Sequence, residues 1–148
     1  MMRGPVGIGV KEKKDIIVMK FGGTSISDTD KIKKAAGKAI KAKLSGCKVV
    51  VVVSAMGDAT DNLINIASSI NKNPSHREMD MLMSTGEQVS MALLSMAIQE
   101  KGYDCISLTG KQAGLLTDDI YSNAKILSVD KERLLKELGS NKIIVVAG

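Results

Sequence analysis

Five consecutive valines, Val49 to Val53 within "KVVVVVS", constrain this chain more than any other stretch. β-Branched side chains lose rotamer freedom in a helix and pack well on a pleated surface, so the run predicts a strand. A strand with one wet face alternates apolar and polar residues. This one does not alternate, so both its faces must be covered, as in a parallel sheet layered between helices. "IIVMK" at 16–20 and "KIIVVAG" at 142–148 read the same way, as strands buried on both faces.

Helical patterns separate these strands. From Asp30 to Leu44, Ile32, Ala35, Ala36, Ala39, Ile40 and Leu44 follow a 3.6-residue period, and Ser27, Asp28 or Thr29 can cap the start. The opposite face, Lys31, Lys33, Lys34, Lys38 and Lys41, reads as solvated surface. Ser45 and Gly46 end that helix, and strand, helix, strand implies a right-handed parallel unit. A second helix is expected from Asp61 to Ile70, broken by 71–75 around Pro74. "REMDMLMSTGEQVSMALLSMAIQEKG" follows, helical in composition but with an expected interruption at Ser84 to Gly86. Its part from Glu87 to Lys101 is apolar on most of its circumference and predicts a helix buried in the domain. "CISL" and "AKILSV" read as strands, "TGKQAGLLTDD" as a loop with a short extended piece, and "DKERLLKELG" as an amphipathic helix.

At 148 residues and 44% hydrophobic the chain suits one packed domain. Only 2% of its residues are aromatic, so the core must be built from Val, Ile, Leu, Ala and nine Met, which favours an α/β layered fold. A net charge of +5 permits anionic ligands without naming them. Cys47 and Cys105 form no metal-ligand spacing and read as reduced, buried thiols; His76 stands without a Cys or carboxylate partner at such a spacing and reads as a surface residue. No apolar stretch reaches the length of a membrane span and no signal-peptide core precedes the first strand, so the cytoplasm is the expected compartment. Residues 1–15 are expected to be a flexible extension, whose Gly4, Gly7 and Gly9 follow no strand and make no dinucleotide fingerprint. A domain seldom stops on an apolar parallel strand, because α/β proteins place ligands just beyond its carboxyl end; the ending at Gly148 therefore predicts a truncated chain.

"KFGGTS" at 20–25 sets Lys20 at the end of the first strand, before Gly22 and Gly23. Glycines let backbone N–H groups approach an anion and lysine adds a point charge, as in a phosphate site; a tight turn beside a surface lysine is the bland alternative. It is not a Walker A loop, which needs its lysine after the glycines. Together with "VVVSAMGDATDNLI" (51–64) and "MDMLMSTGEQVSMALLSMAIQEKGYDCISLTGKQAG" (79–114), however, the stretch closely resembles the bacterial aspartate kinases of the amino acid kinase superfamily, in order, spacing and filler, from Ile16 to Gly148.

The resemblance implies an α/β fold, a three-layer α/β/α sandwich with a mainly parallel sheet of the amino acid kinase or carbamate kinase type, of which 16–148 is the N-terminal part. It implies transfer of the ATP γ-phosphoryl group to the side-chain carboxylate of L-aspartate, giving 4-phospho-L-aspartate for lysine, threonine and methionine synthesis. Lys20 matches the lysine that bridges the transferring group, and Gly22, Gly23, Thr24 and Ser25 match the turn beneath the phosphates. Glu87 matches the residue that binds the amino-acid substrate, Thr60 a threonine holding substrate carboxylate, and Ser54 ends its strand in the same cleft. Taken singly, Glu87 could be a helix N-terminal acid and either hydroxyl a helix cap. Mg²⁺ is expected with ATP and not in a protein cage, the parent enzyme is expected to be a homo-oligomer, and neither nucleic acid nor membrane is an expected partner. Asp58, Asp61, Arg77 and Asp80 read as structural.

Two departures stand out. "YSNAKI" at 121–126 replaces the HGNARI usual in these kinases, so Lys125 stands where an arginine fork would be. The GRGGSD stretch, the nucleotide-binding half and the regulatory domains of the family are not in the chain, so these residues alone are expected to lack activity. The rival readings are another enzyme of the superfamily, a nucleic-acid-binding module, for which only Phe21, Tyr103 and Tyr121 could stack on bases, and a non-catalytic folded interaction fragment.

Overall fold

The computed structural model describes residues 15–148 and sets the valine run inside a parallel sheet. In chain order the elements are β1 (Ile16–Phe21), a short 3₁₀ helix (Gly23–Ile26), α1 (Thr29–Leu44), β2 (Lys48–Val53), α2 (Ala59–Ile70), α3 (His76–Glu100), β3 (Cys105–Leu108), β4 (Leu115–Thr117), β5 (Ile126–Val129), α4 (Glu132–Gly139) and β6 (Ile143–Ala147). The sheet order is β1-β2-β6-β3 with every neighbour parallel, and β4 and β5 form a separate antiparallel hairpin.

Alternate valines of β2 enter two different cores. Val49, Val51 and Val53, none of them exposed, pack with Ile143 and Val145 under Ala36 and Ala39 of α1 and Leu94 and Ile98 of α3. Val50 points the other way, with Ile144, Val146 and Leu108, against Leu138 of α4. Each buried valine contributes roughly 1.5–3 kcal/mol of hydrophobic stabilisation. Crossover handedness accounts for the third layer. The steps from β1 to β2 and from β2 to β3 advance across the sheet with α1 and α3 on one face; the return from β3 to β6 reverses direction, so a right-handed connection must put α4 on the other face. The expected α/β/α sandwich is what forms.

Several expectations are corrected. β1 is not buried on both faces: it is the sheet edge, with Ile16 50% and Val18 65% exposed, because the second-face core under α4 takes in residues of β2, β6 and β3 but none of β1. The long helix α3 is not interrupted at 84–86. Ser84 and Thr85 turn their hydroxyls back onto the carbonyls of Met81 and Leu82, at 2.9 and 2.6 Å, and leave the helical ladder intact. Nor is α3 buried around its circumference: Val89, Leu93 and Met96 are exposed while Ser90 and Ser95 are buried. Both cysteines are free, but only Cys105 is buried, Cys47 being partly exposed. Asp28 is the residue that caps α1, accepting the N–H of Lys31 at 2.8 Å, and that bond holds its carboxyl below the usual range. Of the expected extension, residues 1–14 lie outside the described residues, and Asp15 is already tied to the sheet, its carbonyl accepting the N–H of Lys48 at 2.9 Å. Among the described residues no helix is long and apolar enough to cross a membrane.

Candidate functional site at the carboxyl edge of the sheet

Because all four strands of the main sheet run parallel, their carboxyl ends share one edge, and the connecting segments there build the site. Lys20, the penultimate residue of β1, is exposed and lies in register with Val52. After Phe21 the chain turns through Gly22, whose carbonyl accepts the N–H of Ser25 at 2.9 Å. The loop after β2 packs onto that turn: Ser54 N–H donates to the Phe21 carbonyl and Gly57 N–H to the Gly23 carbonyl, both at 3.1 Å. A Cβ on Gly23 would come within 2.6 Å of the Ala55 carbonyl oxygen, so close backbone approach demands glycine there. Gly22 is different. A Cβ on it would meet nothing within 4 Å, and its φ of −75° suits any residue, so folding does not explain it.

Glu87 lies in the middle of α3, seven residues beyond Asp80, and not at a helix N-terminus. It is half-buried and lines a cavity of about 200 Å³ with Ser84 and Gln88 of its own helix, Thr109 and Gly110 beyond β3, and Ala147 and Gly148 at the end of β6. Its carboxylate has no hydrogen-bond or ion-pair partner among the described residues. Gly86, one residue earlier, lets α3 approach the loop after β2, since a Cβ there would stand 2.9 Å from the Ala55 Cβ. Tight packing at Gly23 and Gly86 on the same residue, Ala55, thus ties the glycine turn and the Glu87 helix to one loop.

A larger cavity, about 580 Å³, adjoins the glycine turn; Thr24 and Ser25 line it with Lys31, Lys34, Lys38 and Lys41 of α1, and the Lys38 ammonium stands 5.9 Å from the centre of the Phe21 ring. The lysine face is exposed, as expected of solvated surface, and four of its five lysines also border this cavity. Thr60 is half-buried in the first turn of α2, and Ser54 lies one residue past β2; neither these two nor Lys20 lines either cavity. The edge brings the glycine turn, Ser54 and Lys20 together at β1 and β2, and sets Glu87 beside β6 and β3. Thr109 and Gly110 were not singled out as site residues; the "TG" following a strand end was the available signal.

Residues 15–148 match the family model for the amino acid kinase family, and the chain belongs to that family. Within it the similarity is to aspartokinases: Aspartokinase 2 of Bacillus subtilis (strain 168) is 55% identical over 133 residues, which are 90% of this chain and 33% of that protein. The chain thus spans about a third of the length of the curated relatives it matches. The crystal structure of aspartate kinase from Synechocystis superimposes with a TM-score of 0.77 at 46% identity, covering 90% of this chain and 22% of that one. E. coli aspartokinase III shares the fold, with a TM-score of 0.74 at 18% identity over 91% of this chain and 40% of its own. The resemblance read from the three motifs is borne out.

Proposed function

We propose that residues 16–148 are the N-terminal, acceptor-side part of an aspartate kinase domain, which phosphorylates the side-chain carboxylate of L-aspartate from MgATP. The observation that carries this reading is the unpartnered carboxylate of Glu87 in a cavity at the carboxyl ends of β6 and β3, on a helix that packs against the same Ala55 as the glycine turn of an amino acid kinase fold. An amino-acid acceptor brings an ammonium group, and a half-buried carboxylate without a protein partner is what an ammonium pairs with. The acceptor carboxyl is ionised at neutral pH, so the reaction needs no general base. It needs two anions held together and aligned.

Lys20 supplies charge at the end of β1 for the transferring phosphoryl group, and the backbone of Gly22, Gly23, Thr24 and Ser25 forms the turn beneath the phosphates. Gly22, which nothing crowds, is the point of closest approach. Thr60 and Ser54 hold the substrate carboxylate from the β2 side. Mg²⁺ enters with ATP as part of the nucleotide substrate. The nucleotide's remaining contacts fall to the part of a relative-length enzyme that this chain does not span, and that enzyme is a homo-oligomer in this reading.

The test is an aspartyl-hydroxamate assay on a hybrid enzyme in which residues 15–148 replace the matched segment of Bacillus subtilis Aspartokinase 2. Activity with L-aspartate and MgATP is expected, and Lys20→Ala is expected to lower kcat by about 10²-fold or more while the melting temperature holds. A folded hybrid that phosphorylates nothing, or one indifferent to Lys20→Ala, overturns the assignment.

A further inference from the structure

Asp80 lies outside the roles just given, and its contacts are unlike those of an ordinary surface carboxylate. Its Oδ2 accepts the backbone N–H of Ser122 at 2.6 Å and its Oδ1 accepts the Ser122 hydroxyl at 3.2 Å, across 42 residues of sequence. His76 Nδ1, one helical turn earlier on α3, stands 3.1 Å from the same hydroxyl. Arg77, paired with Glu78, interacts with Tyr121. Ser122 adopts a φ of +61°, an uncommon conformation for a residue with a side chain. The tip of the β4–β5 hairpin is thereby fastened to the first turns of α3.

The other end of the hairpin is fastened to the Glu87 cavity. Leu115 N–H donates to the Gly110 carbonyl at 2.9 Å, and Asp130 N–H to the Gly114 carbonyl at 2.8 Å. Gly114, at a φ of +92°, sits so close to Asp130 that a Cβ would come within 1.7 Å of its carbonyl oxygen. Gly110 itself lines the same cavity as Glu87. Lengths agree: Asp80 and Glu87 are seven residues apart on one face of α3, about 10.5 Å along its axis, and a three-residue strand such as β4 spans roughly 10 Å. Between these two ends apolar packing gives the hairpin little support, since every residue from 121 to 130 is exposed, including Ile126, Leu127 and Val129. The tip itself is folded by Asp118, whose carboxylate accepts the N–H groups of Ile120 and Lys125.

We infer, building on the acceptor-site reading of Glu87, that Asp80 is a positioning residue: by clasping Ser122 it holds the β4–β5 hairpin along α3 and so fixes the Thr109–Gly110 wall of the Glu87 cavity. Asp80 touches neither substrate nor the reacting atoms. Without it the hairpin pivots about 110–115, and the acceptor cavity loses a fixed wall while the glycine turn is untouched.

Three variants test this. In the 148-residue chain, Asp80→Ala is expected to speed hydrogen exchange of the 115–129 amides by about tenfold, through loss of charge-assisted hydrogen bonds, with α1 and β2 unchanged. Ser122→Gly keeps the backbone N–H bond and suits the positive φ, so its exchange should stay within about threefold of the parent. In the hybrid enzyme, Asp80→Ala should raise the KM for aspartate about tenfold with kcat and the KM for MgATP within about twofold, and Asp80→Asn, which keeps one acceptor oxygen, should fall between. A hairpin that loosens while the aspartate KM stays put overturns the positioning role and leaves the Glu87 reading standing. Unchanged exchange in both Asp80 variants overturns the clasp. An unsubstituted hybrid that does not use aspartate refutes the kinase reading, and the positioning role falls with it whatever the exchange data show.

Discussion

Gly22 and Gly23 are adjacent, and the structure gives them different reasons to be glycine, so Gly22→Ala and Gly23→Ala should part company. At Gly23 a methyl group would sit 2.6 Å from the Ala55 carbonyl oxygen, backbone against backbone, in a turn already fastened by the bond from Gly57 to Gly23. Overpacking of this kind costs about 1–3 kcal/mol, and lowering the entropy of the unfolded chain returns about 0.4–1. The net loss is about 1–2 kcal/mol, which for a chain of this size lowers Tm by roughly 2–8 °C. At Gly22 the methyl group meets nothing and the backbone is ordinary extended chain, so only the entropic gain remains and Tm should hold or rise slightly. Thermal melts and urea titrations of the 148-residue chain by circular dichroism measure both. The hybrid enzyme adds the functional half: Gly22→Ala, harmless to stability, should cut kcat/KM for MgATP by at least about tenfold if the turn faces phosphate, because its Cβ would occupy the approach of the anion. Equal destabilisation by the two substitutions would refute the packing argument, and a fully active Gly22→Ala enzyme would refute the phosphate role of the turn.

Glu137 is buried between Lys142 at 2.7 Å and Arg133 at 2.8 Å, and the hydrogen bond from the Lys142 ammonium is the main cause holding its carboxyl below the ordinary 4.5. A depressed folded-state value means stability fully present above about pH 4.5 and lost as pH falls through the lowered one, so Glu137→Gln should melt lower at pH 7 yet show a flatter decline from pH 5 to 3; parallel declines would count against the pairing. Burial pushes the Cys105 thiol up, so iodoacetamide at pH 8 should label the partly exposed Cys47 well before Cys105, and mass spectrometry showing equal rates in the folded chain would contradict the buried setting.

The elements themselves were legible where local physics decides them. The valine run, the alanine and isoleucine stripe of α1 and the strand of β6 follow from side-chain shape and periodicity, which neighbours reinforce. The misreadings share a cause: a pattern records what a residue prefers and not what lies against it. "IIVMK" has the composition of a doubly buried strand, and its second face is nonetheless open because no described element covers it there. "STG" at 84–86 looks like a helix breaker, yet Gly86 serves close packing on Ala55 while the two hydroxyls fold back onto their own helix.

The candidate site was legible only as separate motifs, because what assembles it is strand order. β6, last in the chain, inserts between β2 and β3 and carries Ala147 and Gly148 to the Glu87 cavity; the bond from Gly148 N–H to the Val53 carbonyl, at 2.8 Å, joins that end to β2. No local pattern encodes that insertion. It follows from the crossover rule together with apolar strands that tolerate neighbours on both edges, and those conditions admit other orders as well. Asp80 shows the same limit on a smaller scale. In sequence it is one more acid at the start of a helix, and only the return of the chain at Ser122 turns it into a clasp. Residues whose chemistry is intrinsic, such as Lys20 beside two glycines, can be singled out as candidates before folding is known. Those whose role comes from a partner far along the chain become visible only once the fold has chosen that partner.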